Sequence, residues 1–364
     1  PSPHPGSVNG ARAHHLRRLL AGLAVALCSG VPVVASGAER PMNSLSPSLY
    51  APHSERGRYF NPWAPRSWSF RDVLKWQLFS RNPYDKSAPL QVPRVTNDGA
   101  GLAGVEHSAT VTWVGHATLA VHDEGDVFLT DPHFGERALI PRRLVPPGIP
   151  IGSIPDHAFA VVSHNHYDHL DAWTVERLPA AMPWFVPMGL ADWFRERGRA
   201  NVVELDWWQS AQHGRFTITC LPAQHWSRRS LGDTNETLWC SWLVDSGQRR
   251  YFFAGDTGYF PGFAEFGRRF GPIDVAMLPI GAYEPRWFMQ HQHMDPAEAY
   301  QAFLDLRAQH MIAMHWGTFD LTDEPADLAP RVLAEAVRDA GGDASRTVVM
   351  AIGEQWHVPE GAAD

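Results

Sequence analysis

Three histidines and an aspartate crowd into six consecutive residues, His164 to His169, in the order His-Asn-His-Tyr-Asp-His. Imidazole nitrogens and a carboxylate placed this closely are unfavourable together unless a cation binds between them. The preceding residues, 159–163, form a short apolar run that predicts a buried strand. The cluster therefore begins where a strand ends, a common place for ligands on a rigid scaffold. We interpret it as a metal-binding segment rather than a solvated histidine-rich loop.

Three more candidate ligands, His225, Asp256 and His315, each follow an apolar run that predicts a strand. Gly255, next to Asp256, allows the backbone to approach a metal closely. Taken alone, each of the three is more typical of a packed or solvent-facing residue. Taken with the cluster, they complete a set of donors for two ions. We expect a first ion on His164, His166 and His225, a second on Asp168, His169 and His315, and Asp256 as the bridge between them.

Ligation by histidine and carboxylate without thiolate suits zinc, and iron or manganese is also compatible with it. Two such ions about 3.5–4 Å apart lower the pKa of a bridging water, which gives a hydroxide nucleophile at neutral pH. The hydroxide attacks phosphorus or an acyl carbon while the cations stabilise the developing negative oxygens. The predicted chemistry is hydrolysis.

The elements that must position these ligands alternate between short strands and helices from residue 110 onward. Asp295, Pro296 and Glu298 form a typical helix start, with a capping carboxylate and a proline in the first turn. The pattern predicts an α/β (α+β) fold, in which two mixed sheets are covered by helices on their outer faces. Strands are predicted at 111–114, 118–121, 127–130, 202–206, 216–221, 238–244, 250–254, 274–279, 311–315 and 347–351, and helices at 173–179, 189–198, 261–270, 295–308 and 326–340.

We divide the chain into an export signal peptide (1–38), an N-terminal extension packed on the main domain (39–105), a metallo-hydrolase domain (106–358) and a tail (359–364). The signal assignment rests on Arg17 and Arg18 before an apolar stretch, with small residues up to Ala38. Leu27 argues against a lipoprotein, because it is too large for the position before a lipidated Cys28. We therefore expect an exported protein, periplasmic or membrane-associated.

Within the extension, the spacing of apolar residues predicts one helix from Ser69 to Ser80. Its partly apolar stripe would contain Phe70, Val73, Leu74, Gln77 and Leu78. The extension is otherwise rich in proline, serine and asparagine, with islands of aromatic residues.

The composition of the 364 residues excludes some classes of function. A formal net charge of −8 argues against a general nucleic-acid binder. The 15 tryptophans indicate core packing or, alternatively, a surface for an apolar ligand. Cys220 and Cys240 fall in two neighbouring predicted strands, and we expect buried free thiols rather than a disulfide.

The order His-x-His-x-Asp-His, His225, Asp256 and His315 resembles the metallo-β-lactamase superfamily of hydrolases. Several further stretches resemble one branch of it, the N-acylphosphatidylethanolamine-hydrolysing phospholipases D. The most selective is Gly-Ala-Tyr-Glu-Pro-Arg-Trp-Phe-Met at 281–289; the others include 113–118, 129–132, 163–171, 205–208, 224–226, 253–259, 292–296 and 315–319.

This resemblance implies an αββα sandwich, the metallo-β-lactamase fold, with two zinc ions on the donors named above. It also implies cleavage of a phosphodiester to phosphatidic acid and an N-acylethanolamine, with catalytic roles for Asp168, Asp256 and His293. Substrate contacts are expected from Gln292 and His293, and also from Tyr167 and Arg286. His293 would donate a hydrogen bond or a proton to the leaving oxygen; its alternative is a structural bond at a helix start.

Three alternatives stay open at this point. Arg286 serves either as a phosphate clamp or as a structural partner of Glu284. The enzyme could be a lactonase or other carboxylic ester hydrolase of the same superfamily. A non-catalytic metal-bound envelope protein is the third possibility. The expected partners are a phospholipid substrate and a membrane surface touched peripherally, without nucleic acid, and a homodimer is compatible with the sequence. The export signal and the loosely matching extension depart from the pattern of the animal enzyme.

Overall fold

The computed structural model of the chain describes residues 46–64, 70–104 and 108–360. The predicted signal peptide, Cys28 and all but two residues of the tail lie outside these ranges. Two seven-stranded sheets face each other, and helices cover the outer face of each. The predicted αββα architecture is thus confirmed.

The described part of the extension contains a short hairpin and one α-helix. The hairpin pairs β1 (Ser54–Glu55) with β2 (Arg58–Tyr59), after a 3-10 turn at Ser46–Tyr50. The helix α1 (Phe70–Leu74) runs into a π-helical turn at Lys75–Phe79. Further along, 3-10 turns lie at Ala100–Leu102, Ile151–Ser153 and Ala344–Arg346.

The first sheet combines an antiparallel half with a parallel half. Its strands are β3 (Thr110–Gly115), β4 (Thr118–Asp123), β5 (Asp126–Thr130), β6 (Phe159–Val161), β7 (Trp184–Pro187) and β8 (Val202–Leu205), with β16 (Gln355–His357) at one edge. In the order β16-β3-β4-β5-β6-β7-β8, pairing is antiparallel as far as β5 and parallel beyond it. The helices α2 (Ala172–Val175) and α3 (Ala191–Arg195) pack on the outer face of this first sheet.

The second sheet repeats this arrangement. Its strands are β9 (Ser210–His213), β10 (Phe216–Leu221), β11 (Ser241–Asp245), β12 (Arg250–Phe253), β13 (Ile273–Pro279), β14 (Ala308–Met314) and β15 (Thr347–Val348). In the order β9 to β15, pairing is antiparallel as far as β12 and parallel beyond it. Its helices are α4 (Gly262–Phe270), α5 (Arg286–Met289), α6 (Pro296–Asp305) and α7 (Ala329–Asp339).

Alternation along the strands builds two cores. On β5, Phe128 faces the other sheet and packs against Phe159 and Tyr251, with ring centroids 5.4 and 5.5 Å apart. Its neighbours Val127 and Leu129 belong to the outer core that includes α2 and α3. Because successive side chains point to opposite faces, one apolar run fills both layers. The carboxyl ends of β6, β12 and β14 are then free to carry loops at one edge of the sandwich.

The structure corrects the predicted stripe of the α1 helix. Val73 and Trp76 are buried, whereas Leu78 is 52% exposed and Phe79 81% exposed. The π-helical turn adds a residue to the helical repeat, so the apolar face predicted from α-helical spacing ends before Leu78. The strand predicted at 238–244 begins only at Ser241 in the structure. The strands β7, β9 and β16 were not predicted.

Two further findings concern the predicted thiols and membrane segments. Cys220 and Cys240 are buried free thiols, as predicted. Among the described residues, no helix has the length and apolar character required to cross a bilayer.

Candidate metal centre

Loops at the ends of β6, β10, β12 and β14 bring the seven predicted ligands together. The donor atoms form two adjacent groups, and within each group all of them lie within 4.8 Å of one another. The first group contains His164, His166, His225 and Asp256; the second contains Asp168, His169, His315 and an additional histidine, His116.

In the first group, three imidazole nitrogens converge. His166 Nδ1 lies 2.7 Å from His164 Nε2 and 3.2 Å from His225 Nε2. Asp256 Oδ2 lies 3.7 Å from His225 Nε2 and 4.0 Å from His164 Nε2. Nitrogen and carboxylate donors at this spacing match the tetrahedral ligand sets of zinc.

The second group shares the same aspartate. His169 Nε2 and His315 Nε2 lie 3.2 Å apart, and Asp168 Oδ2 lies 3.5 and 3.6 Å from them. Asp256 approaches His169 Nε2 through Oδ2 at 3.1 Å and His315 Nε2 through Oδ1 at 3.0 Å. Asp256 therefore faces both groups, which is the position expected of a bridging ligand.

Hydrogen bonds on the far side of three rings fix which nitrogen faces inward. The Nδ1 atoms of His164, His169 and His225 lie 2.9 Å from Ser163 Oγ, 2.6 Å from Asp131 Oδ2 and 2.9 Å from the Gln292 carbonyl oxygen, respectively. Ser163 Oγ donates its own hydrogen to Asp131, so it accepts from His164 Nδ1. The Asp131 carboxylate and the Gln292 carbonyl oxygen are acceptors, so Nδ1 is the donor in His169 and His225 as well. In the two rings whose pKa burial lowers, His164 and His225, Nε2 then carries a lone pair, and both Nε2 atoms approach His166 Nδ1. Such an arrangement fits a cation, and it is the outer-shell pattern typical of metal-binding histidines.

Electrostatics separate the two groups. Burial lowers the pKa of His166 to about 4 and that of His225 to about 3, so both rings are neutral at physiological pH. Burial also opposes the charged form of His315, but Asp256 and Asp168 raise its pKa to about 9. The carboxylates of Asp168 and Asp256 have a pKa well below the usual range, despite burial, because of the histidines around them. The second group therefore attracts positive charge more strongly than the first.

A pocket of about 320 Å³ opens onto this centre. His166, Asp168 and Asp256 lie at its floor, and the predicted substrate residues Tyr167, Gln292 and His293 line it. Much of the remaining wall is apolar and comes from distant parts of the chain: Trp76, Leu139, Trp226, Leu231, Phe288, Met289 and Leu321.

The three substrate-residue candidates in the pocket differ in how free their polar atoms are. The Tyr167 hydroxyl donates to the Arg229 carbonyl oxygen at 2.8 Å. The Gln292 side chain donates to Met289 Sδ at 3.5 Å. His293 Nδ1 lies 3.9 Å from Asp256 Oδ2 and has no hydrogen-bond partner among the described residues. Burial lowers the pKa of His293 to about 3, so its ring is a neutral hydrogen-bonding group.

Arg286 is placed differently from its predicted role as a phosphate clamp. Its guanidinium pairs with Glu298 at 2.6 Å and Asp295 at 3.4 Å, and it donates to the His293 carbonyl oxygen at 3.0 Å. It is not among the described residues that line the pocket. Glu284, the alternative partner, instead accepts from the Arg286 backbone N–H at 3.0 Å. The geometry supports a structural role, in which Arg286 fastens the start of α6 and the backbone of His293.

Sequence reasoning did not assign two residues that belong to this centre. His116 contacts Asp168, and Asp131 holds His169 and Ser163. Both residues follow the strand-like runs at 111–114 and 127–130. The criterion that found His225, a polar residue soon after a strand, would therefore have found them too.

Comparison with known proteins agrees with this picture. A family model described as the Beta-lactamase superfamily domain matches residues 127–316. The N-acyl-phosphatidylethanolamine-hydrolyzing phospholipase D 1 of Caenorhabditis elegans is 39% identical over 329 residues, which cover 84% of this chain and 92% of that protein.

One further relative and one solved structure extend the comparison. The mitochondrial N-acyl-phosphatidylethanolamine-hydrolyzing phospholipase D of Saccharomyces cerevisiae is 36% identical over 67% of this chain, and the match spans 54% of that longer protein. A metallo hydrolase of the archaeon Ignicoccus hospitalis superposes with a TM-score of 0.51 at 22% identity, over 69% of this chain and 98% of that one. This last likeness concerns the fold.

Proposed function

This chain belongs to the beta-lactamase superfamily of metal-dependent hydrolases, in the branch of the N-acylphosphatidylethanolamine-hydrolysing phospholipases D, and we propose that it cleaves N-acylphosphatidylethanolamine-like lipids to N-acylethanolamine and phosphatidic acid. The observation that carries the proposal is the position of the metal centre at the floor of an apolar pocket. A lipid phosphodiester has both features that this site would recognise, an anionic phosphate and long acyl chains.

The proposed metal content is two zinc ions. The first would bind His164, His166 and His225, the second Asp168, His169 and His315, with Asp256 between them. Bound there, the two cations would lower the pKa of a water molecule towards neutrality and neutralise charge on the phosphate oxygens. The Nε2 lone pairs of His164 and His225, which both approach His166 Nδ1, support the first position. The carboxylates of Asp168 and Asp256 beside His169 and His315 support the second.

The catalytic roles proposed for the protein's own residues follow from exposure and charge. Asp168 keeps 16% exposure where it lines the pocket, and Asp256 keeps 2%. Both carboxylates are anionic, so each accepts a hydrogen bond from the attacking water and orients it. His293, neutral and unpartnered at Nδ1, supplies a hydrogen bond to the leaving oxygen rather than a full positive charge.

The apolar wall indicates how a lipid would reach the floor. Trp76, Phe288 and Met289 form a buried cluster with Val73, so the extension contributes directly to the pocket. Leu139 and Leu231, also in the wall, are 45% and 68% exposed. Moving a side chain of this size out of water is worth about 1.5–3 kcal/mol. We propose that these residues contact the membrane peripherally while a phospholipid enters.

Export is a separate part of the proposal, and it rests on the sequence of residues 1–38 alone. Expression of the full-length chain in a Gram-negative host, followed by N-terminal sequencing of the periplasmic fraction, tests it. A new N-terminus after Ala35 or Ala38 supports export, and an uncleaved protein in the cytoplasm contradicts it.

The substrate is tested with zinc-loaded protein and a panel that separates bond types. The panel contains N-acylphosphatidylethanolamine, phosphatidylcholine, bis-p-nitrophenyl phosphate and sugar lactones. We expect release of N-acylethanolamine and phosphatidic acid, with slower cleavage of the soluble diester. Lactone turnover without phosphodiester cleavage would assign the protein to the carboxylic ester hydrolases instead, and no turnover at all would favour the non-catalytic alternative.

A further inference from the structure

The second ligand group contains a histidine that the expected ligand set does not include. His116 lies in the turn between β3 and β4, is 1% exposed, and places Nε2 3.0 Å from Asp168 Oδ2. We propose that His116 is a positioning residue, whose Nε2–H donates a hydrogen bond to Asp168 and thereby holds this carboxylate on the second cation. The inference rests on the dinuclear centre of the proposed function.

Asp168 is the second-group ligand that most needs such support. The side chains of His169, His315 and Asp256 are 0%, 0% and 2% exposed, whereas that of Asp168 is 16% exposed. A carboxylate that borders a pocket can rotate towards solvent, and side-chain rotation costs it little unless a partner holds it. The bond from His116 reaches the same oxygen that faces His169 and His315, at 3.5 and 3.6 Å.

The ring of His116 is itself held in place. It lies between His315, with centroids 3.9 Å apart, and Phe319, which meets it edge-on at 5.1 Å. Its backbone N–H donates to Thr318 Oγ1 at 2.7 Å, and its carbonyl oxygen accepts from the His315 N–H at 3.0 Å. His116 is thus fastened to the very loop that carries another second-group ligand. A fixed donor of this kind transmits its position to the carboxylate it binds.

Backbone conformation gives an independent observation. His116 has φ of +55° and His315 has φ of +65°, both in the left-handed region that non-glycine residues rarely adopt. Such conformations persist where the surroundings require them, and they cluster at functional sites. Here two histidines of the second group, in ring contact with each other, share this conformation.

The test measures metal affinity in His116→Ala and His116→Gln, since the glutamine amide retains an N–H near the position of Nε2. The matched control is His133→Gln. His133 is equally buried and meets the same Phe319 ring at 5.1 Å, but its hydrogen-bonding contact is with Arg143. Each protein is stripped with a chelator, checked by circular dichroism, and titrated with zinc by calorimetry. Titration with cobalt(II) follows the visible absorption of each site.

We expect His116→Ala to weaken the second ion about 10–100-fold while the first binds as before. His116→Gln should recover most of this affinity, and His133→Gln should match the wild type. If His116→Ala bound two ions with the affinity of the wild type, the positioning role of His116 would be overturned and the dinuclear centre would stand. Fewer than two ions in the wild type would overturn the dinuclear centre and this inference with it. If His116→Ala does not fold, His116→Gln decides: a near-normal second site supports the proposal, whereas a weak second site with altered cobalt absorption identifies a direct ligand and overturns it.

Discussion

The two halves of the metal centre are built on different principles. In the first, the outer nitrogens of His164 and His225 bond to a serine hydroxyl and a backbone carbonyl, and burial keeps the rings neutral. In the second, carboxylates dominate, because Asp168 and Asp256 raise the pKa of His169 and His315. The first half is therefore dominated by neutral nitrogen donors. In the second, two carboxylates hold two histidines in the charged form, and Asp168 borders the pocket.

Asp256 belongs to both halves, so its loss should have the largest effect. We expect Asp256→Asn to lower phosphodiesterase activity by about a thousand-fold or more, since it removes charge from both groups at once. The control is Asp274→Asn. Asp274 lies at the amino end of β13, whereas the candidate ligands follow the carboxyl ends of the neighbouring strands, and it accepts a hydrogen bond from the Arg250 backbone N–H. If Asp256→Asn kept more than a tenth of wild-type activity with both ions bound, the shared-ligand account would be wrong.

Single-group variants should separate the halves. His166→Ala is expected to lose the first ion and keep the second, and Asp168→Asn to do the reverse, each with activity reduced about a hundred-fold or more. Inductively coupled plasma mass spectrometry of the dialysed proteins gives the ion count, and cobalt absorption identifies the site that remains. Loss of both ions in both variants would show that the groups bind cooperatively as one unit, contrary to the division drawn here.

The pH dependence of the metal-free protein should reveal the same contrast. His166 and His225, with pKa lowered to about 4 and 3, stabilise the fold above the ordinary histidine pKa of about 6.5, and this is lost as pH falls towards 3. His315, with its pKa raised to about 9, contributes stability below about 6.5 that is lost as pH rises through 9.

Urea unfolding in chelator from pH 4 to 10 should therefore give a maximum near neutrality, with changes on the order of a few kcal/mol on each side. His225→Gln should reduce the loss of unfolding free energy on the acid side of this maximum, and His315→Gln should reduce the loss on the alkaline side. If both variants changed the stability equally on the acid and alkaline sides, the opposite pKa shifts assigned to the two groups would be wrong.

The smallest expected effect concerns an exposed aromatic side chain of the extension rather than the floor of the pocket. Phe79, 81% exposed at the end of the π-helical turn, should contribute to membrane contact. We expect Phe79→Ser to weaken binding to phosphatidylethanolamine vesicles several-fold, since about 1.5–3 kcal/mol of apolar transfer is lost at most. Hydrolysis of bis-p-nitrophenyl phosphate should not change. Leu304→Ser, at a 42% exposed position of α6, is the matched control; equal weakening by both would remove Phe79 from the membrane surface.

The sequence predicted that the seven candidate side chains would lie together, because each comes at or soon after the end of a strand and the apolar run of a strand is visible in the local sequence. His225, Asp256 and His315 lie far apart along the chain, yet the ends of β10, β12 and β14 bring them to one edge. The same criterion, applied to 111–114 and 127–130, would have added His116 and Asp131.

What the sequence could not supply were features set by tertiary partners. Arg286 has several carboxylates nearby in sequence. Only the fold shows that its guanidinium pairs with Glu298 and Asp295, while the Glu284 side chain accepts from the Arg286 backbone N–H. The π-helical turn at Lys75–Phe79 has no periodic signature, so the exposure of Leu78, which lies in that turn, was not predicted. The edge strands β9 and β16 are short and largely polar, and their strand character comes from pairing with β10 and β3.

Zinc content is the most direct measurement of the central claim. Full-length protein purified without chelator and dialysed against metal-free buffer should contain two zinc ions per chain by mass spectrometry. Asp256→Asn should contain fewer. One ion or none in the wild-type protein, after zinc has been supplied in excess and removed by dialysis, would contradict the account of two ion-binding groups that share Asp256.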